Sequence, residues 1–215
     1  MNISVRNAET FEFTPENMTW AEGQLKKYPQ SRKQSAVMPL LTCAQEQNNG
    51  WISVPVMEYI ADMLDMPYIR VQEVVTFYTM YNQKPVGRHV IEVCTTTPCW
   101  LRGSDDVVAA CKDELGISFG ETTDDGEFTL LEVECAGACV NAPVIAYRKE
   151  YYEDLDGETT RKFIKAIKGG EIPVAGPQTT DRHKSAPQGG PTTLKEFCAN
   201  QDYANQDYDS QGGQE

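Results

Sequence analysis

Apolar spacing changes character once along this chain, at Gln83-Lys84-Pro85-Val86-Gly87, and that break limits the possible architectures more than any single motif. Upstream, apolar residues recur at helical spacing; downstream, short β-branched runs alternate with helical stretches. Thr14-Pro15-Glu16 reads as a helix start, with a capping hydroxyl, a proline in the first turn and an early acid. That helix should end near Tyr28-Pro29, because proline disfavours helix in the residue before it. Arg32 to Gln47 carries Val37, Leu40, Leu41 and Ala44 at helical spacing, and Pro39 inside it implies a kink or a late start. Asn48-Asn49-Gly50 supplies the stop. Two shorter helices follow, Pro55 to Leu64 with Val56, Tyr59, Ile60 and Met63 on one face, and Pro67 to Tyr78 with Ile69, Val71, Val74 and Val75. Residues 1–83 are thus expected to form a small helical bundle.

Beyond the break, Arg88 to Cys94 (RHVIEVC) is short and β-branched, which predicts a strand. Leu101 to Leu115 returns to helical spacing through Val107, Val108, Cys111 and Leu115, with Gly116 to end it. Ile117–Phe119 and Glu127–Glu134 read as strands flanking the tight-turn signal Asp124-Asp125-Gly126, and Pro143–Tyr147 as a further strand. Thr159–Lys168 is a last helix, closed by Gly169-Gly170. This order predicts an α/β unit over 84–172, a mixed sheet with few helices and of thioredoxin-like size. From Pro173, over 173–215, Gly, Pro, Gln and Thr accumulate and periodicity is lost, so an extended tail is expected, disordered from Asn200 onward.

The net charge of −13 disfavours contact with phosphate backbones and favours docking on basic partner surfaces. No stretch approaches the roughly 20 apolar residues of a membrane span. The opening MNISVRNAETFEF lacks a basic start and an apolar core, so no secretory signal is expected, and Glu9 and Glu12 argue against a mitochondrial transit peptide. A cytoplasmic bacterial chain is the simplest reading. Seven cysteines without a secretory signal make a disulfide framework a poor explanation. Four fall into two pairs, Cys94/Cys99 and Cys135/Cys139, while Cys43, Cys111 and Cys198 stand alone.

Cys94 ends a predicted strand and Cys99 opens the helix after it, where free amides favour a thiolate. The second pair, in ECAGACVNAP, leaves the strand ending at Glu134, and Ala136, Gly137 and Ala138 let the backbone wrap close to a bulky inorganic core. Both pairs sit in strand-exit loops that could face each other across one end of the sheet. Four readings compete. A thioredoxin-type redox pair wants two residues between its cysteines, whereas here the gaps hold four and three. Zinc ribbons likewise favour two. A two-iron cluster asks for four thiolates and tolerates a four-residue gap. Four inert buried cysteines are the bland alternative. Spacing places the cluster ahead without deciding the matter.

CTTTPCWLRG with ECAGACVNAP resembles the thioredoxin-like [2Fe-2S] subunit of the NADH-oxidising flavoprotein module of bacterial respiratory complex I. MPYIRVQEVVTFYTMY is similar to that family's N-terminal bundle, and GPQTTDRHKSAPQGGPTTL to its extended C-terminal arm. The resemblance covers about Phe13 to Leu194 and leaves Lys195–Glu215 outside. It implies one [2Fe-2S] cluster on Cys94, Cys99, Cys135 and Cys139, exchanging single electrons with the flavin of a partner subunit. FMN and NADH would belong to that NADH-binding flavoprotein partner, in a peripheral arm attached to the inner face of the bacterial plasma membrane alongside other arm subunits. No nucleic acid and no membrane span are implied. The same motifs would suit a soluble NAD-linked hydrogenase or formate dehydrogenase, and a zinc-stapled interaction module is the alternative of another class. No catalytic acid, base or nucleophile is needed for one-electron transfer, and no Gly-rich phosphate loop follows a strand. His89 and His183 read as a strand and a tail residue, which gives a Rieske site no support. Glu92, Glu132 and Glu134 oppose added negative charge, while amides of Thr95–Thr97 and around Gly137 favour it; a low potential is the expected balance. Phe77, Tyr78 and Tyr81 are either a partner-facing patch or bundle core.

Overall fold

The computed structural model describes residues 10–179 and Thr193. Helix α1 (Pro15–Leu25) begins where the sequence predicts, with Thr14 Oγ1 accepting the Asn17 N–H at 3.3 Å. A 3₁₀ segment, Gln30–Ala36, precedes α2 (Val37–Gln47), so Pro39 resolves as a late start: it occupies the first turn of α2, where its missing N–H has no intrahelical partner to lose. Helix α3 (Val54–Leu64) closes on Asp65 in the left-handed conformation (φ 52°), with Met66 N–H reaching Ala61 C=O at 3.0 Å. Helix α4 spans Tyr68–Phe77. These helices bury Leu40, Leu41, Ile60, Leu64, Val71 and Val75 in one core, while Ile69 is left 54% exposed. The three aromatics divide. Tyr81 is buried and donates to Met38 C=O at 3.0 Å, whereas Phe77 and Tyr78 pack edge to face at the surface.

The second core belongs to a six-stranded mixed sheet of order β2-β3-β1-β4-β5-β6. Its strands are β1 (His89–Cys94), β2 (Glu121–Thr122), β3 (Phe128–Val133), β4 (Ile145–Tyr147), β5 (Glu150–Glu153) and β6 (Gly176–Pro177). Strand β1 runs parallel to β3 and antiparallel to β4. Helices α6 (Ser104–Leu115) and α7 (Gly157–Lys168) pack together over the apolar face, placing Val107, Cys111, Ile164 and Ile167 against Ile91 and Leu130. Asp156 caps α7, accepting the Thr159 N–H at 2.8 Å.

Two predicted elements shift, and one strand was not predicted. The helix expected over Leu101–Leu115 is two: α5 (Thr97–Leu101) is a single short helix, and Gly103 (φ 96°) breaks the chain before α6. The strand expected at Ile117–Phe119 is instead the two-residue β2 (Glu121–Thr122), preceded by Gly120 at φ 80°, whose N–H donates to Leu130 C=O at 2.8 Å. Strand β5 had no prediction, because its hairpin turns on Arg148 and Lys149 at φ 58° and 85°, positions where a turn signal normally shows Gly or Asn. Of the tail, Gly176–Pro177 joins the sheet beside β5, and Gln178 N–H donates to Glu153 C=O at 2.8 Å.

Candidate metal centre

Strand alternation separates the site from the main core. Ile91 and Val93 face α6 and α7, so Cys94, one position on, turns to the opposite face. There it joins Cys99, Ala142 and Val144 in a small buried cluster, with Ala136 and Ala138 against it. Cys94 lies opposite Val133 in the parallel pair β1/β3, so the chain leaves both strands at the same end of the sheet. Cys135 follows two residues beyond Val133, and Cys139 opens the 3₁₀ turn Cys139–Asn141. The two strand exits thus bring both pairs to one end, as the spacing predicts.

The pairs differ in environment. Cys94 and Cys99 are 2% and 1% exposed, whereas Cys135 is exposed and Cys139 half-buried. Cys135 Sγ lies 3.1 Å from Cys139 Sγ, and Cys94 Sγ lies 3.3 Å from Thr96 Oγ1. Burial raises the Cys94 pKa, but the Thr96 hydroxyl, the Ala136 and Thr96 amides and contact with Cys99 outweigh it and leave the thiol below its ordinary value. Cys99 is pushed up to about 12 by burial and by the neighbouring Cys94, against a hydrogen bond with the Val144 backbone. Contact with Cys139 and the Gly137 amide lower Cys135, while Cys139 is raised by its contact with Cys135 and by burial. Helix α5 has five residues, so the help to these thiols comes from individual amides and hydroxyls more than from a helix dipole. Gly137 takes φ 83°, and a Cβ built on it would meet no atom within 4 Å. The loop therefore leaves room beside the second pair.

Other sequence candidates lie apart from this end. Cys111 sits wholly buried on α6, its thiol pushed up to about 12 by burial, and Cys43 is half-buried in the bundle. His89 Nδ1 lies 2.8 Å from the Tyr147 hydroxyl, and burial together with Arg148 and Arg88 pushes its pKa down. Cys198 and His183 lie outside the described residues. Two supporting side-chain contacts escaped sequence reasoning. Thr95 Oγ1 donates to Glu132 Oε1 at 2.6 Å, tying the exit of β1 to β3. Asn141, beside the second pair, donates through Nδ2 to Glu153 Oε2 at 2.8 Å.

Among the described residues, no three His, Cys, Asp or Glu side chains gather around a single metal-sized point. The thiols stand as two contacting pairs, with soft sulfur donors, converging amides and free space at Gly137, a donor set that would suit a two-iron core. A mixed sheet with cysteine pairs at the exits of neighbouring parallel strands defines the class: a thioredoxin-fold protein with a thiol-rich centre at one end of its sheet.

Comparison with known proteins narrows that class. Residues 21–168 match the profile of the thioredoxin-like [2Fe-2S] ferredoxin family. The chain is 54% identical over 168 residues to a subunit of the NADH-quinone oxidoreductase of Rickettsia bellii, covering 78% of this chain and 99% of that one. It is 46% identical over 185 residues to the mitochondrial NADH dehydrogenase [ubiquinone] flavoprotein 2 of Dictyostelium discoideum, covering 86% and 75%. A crystal structure of an air-oxidised NAD+-reducing [NiFe]-hydrogenase shares the fold, with TM-score 0.54 at 18% identity over 64% of this chain and 23% of that chain. This chain belongs to the thioredoxin-like [2Fe-2S] ferredoxin family.

Proposed function

We propose that this chain is the electron-transfer subunit of an NADH:quinone oxidoreductase, with one [2Fe-2S] cluster held by Cys94, Cys99, Cys135 and Cys139. The observation that carries the reading is the placement of both thiol pairs at the exits of β1 and β3, in a chain 54% identical to a Rickettsia NADH-quinone oxidoreductase subunit over 99% of that protein's length. When bound, the cluster supplies storage and release of one electron at a time, with no bond chemistry on a substrate.

The residues of the chain set the conditions. The Thr96 hydroxyl and the Thr96, Ala136, Gly137 and Val144 backbones hydrogen-bond with thiol sulfurs, so added negative charge at the centre meets fixed dipoles. Burial of Cys94 and Cys99 excludes water from one side. Cys135, exposed, opens the other side toward a redox partner. The partner would be the NADH- and FMN-binding flavoprotein subunit, within a peripheral arm at the inner face of the bacterial plasma membrane. No described helix is long and apolar enough to cross a membrane. The bundle of residues 1–83 and the tail of 173–215, most of which lies outside the described residues, would contribute to contact with that partner. The surface pair Phe77/Tyr78 supports the bundle's share in this contact.

Expression in a bacterium deleted for its own counterpart of this chain tests the proposal. The chain should restore membrane NADH:quinone activity and the rhombic EPR signal of a reduced two-iron centre, and Cys139→Ala should restore neither signal nor full activity. Restoration by Cys139→Ala of an unaltered signal would sink the ligand assignment. Truncation before Gly176 should reduce co-purification with the flavoprotein subunit.

A further inference from the structure

Asp154 occupies a position that electron transfer alone does not explain. It is 5% exposed, sits at φ 51° in the left-handed region, and follows directly on β5. A carboxylate held this far from water needs partners: the side chain meets Arg102 and Thr179, while the backbone N–H of the same residue holds Asn141. Its Oδ1 lies 3.6 Å from Nη2 of Arg102, the residue that ends α5, three positions after Cys99. Its N–H donates to the C=O of Asn141 at 2.6 Å, two positions after Cys139. Thr179 Oγ1, in the C-terminal segment, reaches both the Asp154 C=O at 2.7 Å and Oδ2 at 2.6 Å. Neighbouring Glu153 repeats the pattern, accepting from Asn141 Nδ2 at 2.8 Å through its carboxylate and from the Gln178 N–H at 2.8 Å through its carbonyl.

We propose that Asp154 is a positioning residue for the thiol centre, which fixes the segment after Cys99 against the segment after Cys139 and latches both to the C-terminal segment through Thr179. The proposal rests on the assignment of the four cysteines as ligands. Arg102 and Asn141 anchor the two loops that carry the thiols, one behind each pair. Loosening Asp154 frees each loop to move relative to the other, so the distance between the pairs ceases to be fixed. Docking of the tail is thereby felt at the centre, and anything that pulls Thr179 away, such as a partner protein gripping the segment beyond it, would relax the same frame.

The test uses the full chain with its cluster. Thr179→Val removes the hydroxyl and leaves Asp154, Arg102 and Asn141 in place; Thr179→Ser keeps the hydroxyl; Asp154→Asn removes the charge facing Arg102. Iron release to a chelator and the EPR spectrum of the reduced protein are measured for each. Thr179→Val should release iron about fivefold faster, the scale set by one hydrogen bond of ordinary net strength, and should broaden the rhombic signal. Thr179→Ser should restore wild-type behaviour, and Asp154→Asn should exceed Thr179→Val in both measures. Release rates and spectra identical to wild type in Thr179→Val would overturn the proposal, as would equal changes in Thr179→Val and Thr179→Ser. A wild-type chain with no two-iron signal would instead remove the ligand assignment beneath it, an outcome visible before any variant is compared.

Discussion

Gly87 carries the sharpest mechanical prediction, because it sits where the bundle's connection enters the sheet. Its Cα faces the backbone of β3: a Cβ added there would lie 2.8 Å from Phe128 C, 2.9 Å from Phe128 N and 3.0 Å from Glu127 C. Those are main-chain atoms of a paired strand and cannot swing aside as a flexible side chain would. Its N–H also donates to the buried Thr129 Oγ1 at 2.6 Å, and that hydroxyl contacts Thr122 Oγ1 at 2.7 Å. Gly87→Ala therefore forces the strand entry away from β3, at about 1–3 kcal/mol for overpacking and roughly 1 kcal/mol more if the bond to Thr129 lengthens beyond use. With both costs, about 2–4 kcal/mol, a chain of this size should lose about 4–16 °C in Tm. The control has the opposite sign. Gly23, exposed in α1, would place a Cβ with no atom within 4 Å, so Gly23→Ala should stabilise by about 0.5–1 kcal/mol through helix propensity alone. Calorimetry of both variants against wild type settles the matter. An unchanged Tm for Gly87→Ala, or a fall for Gly23→Ala comparable to it, would refute the steric argument.

Asp156→Ala should cost about 1 kcal/mol by removing the cap of α7, measured by urea titration at pH 7. The Thr159 amide and hydroxyl hold the Asp156 pKa below its ordinary 3.8, so this contribution is complete above that value and disappears as pH falls through the lower folded-state pKa; wild type and variant should converge there. Cys111→Ala, deep on α6 and outside the thiol centre, should cost about 1 kcal/mol in stability and leave the visible spectrum unchanged. Bleaching by that variant would mean that the ligand set is wrong.

Much of this fold was legible because local chemistry and global packing agree. Thr14-Pro15 states a helix start and delivers one, and the β-branched run before Cys94 becomes the central strand. The cysteine pairs were legible as a spacing at strand exits, and the parallel pairing of β1 with β3 is what brings them to one end. Some boundaries carry signals subtler than periodicity. Gly103 followed by Ser104-Asp105-Asp106 marks a helix break and a fresh acidic start, and Asp156 three residues before Thr159 marks the true beginning of α7. Strand β5 hid behind a turn of Arg148 and Lys149 whose left-handed geometry the sequence does not announce. The Asp154 frame had no local signature at all, because Arg102, Asn141 and Thr179 meet it only after the sheet is assembled. Long-range polar contacts of this kind are set by topology, not by neighbours in sequence.

A [2Fe-2S] cluster held by Cys94, Cys99, Cys135 and Cys139 is a stoichiometric proposal. Iron, acid-labile sulfide and zinc content, measured on the anaerobically purified full chain alongside its visible and EPR spectra, test it most directly. About two irons and two sulfides per chain are expected, with a rhombic signal on reduction, as for a [2Fe-2S] centre. Loss of that signal is expected in the alanine variant of each of the four cysteines. A colourless chain binding stoichiometric zinc, or an intact two-iron signal after loss of Cys94 or Cys139, would contradict the proposal.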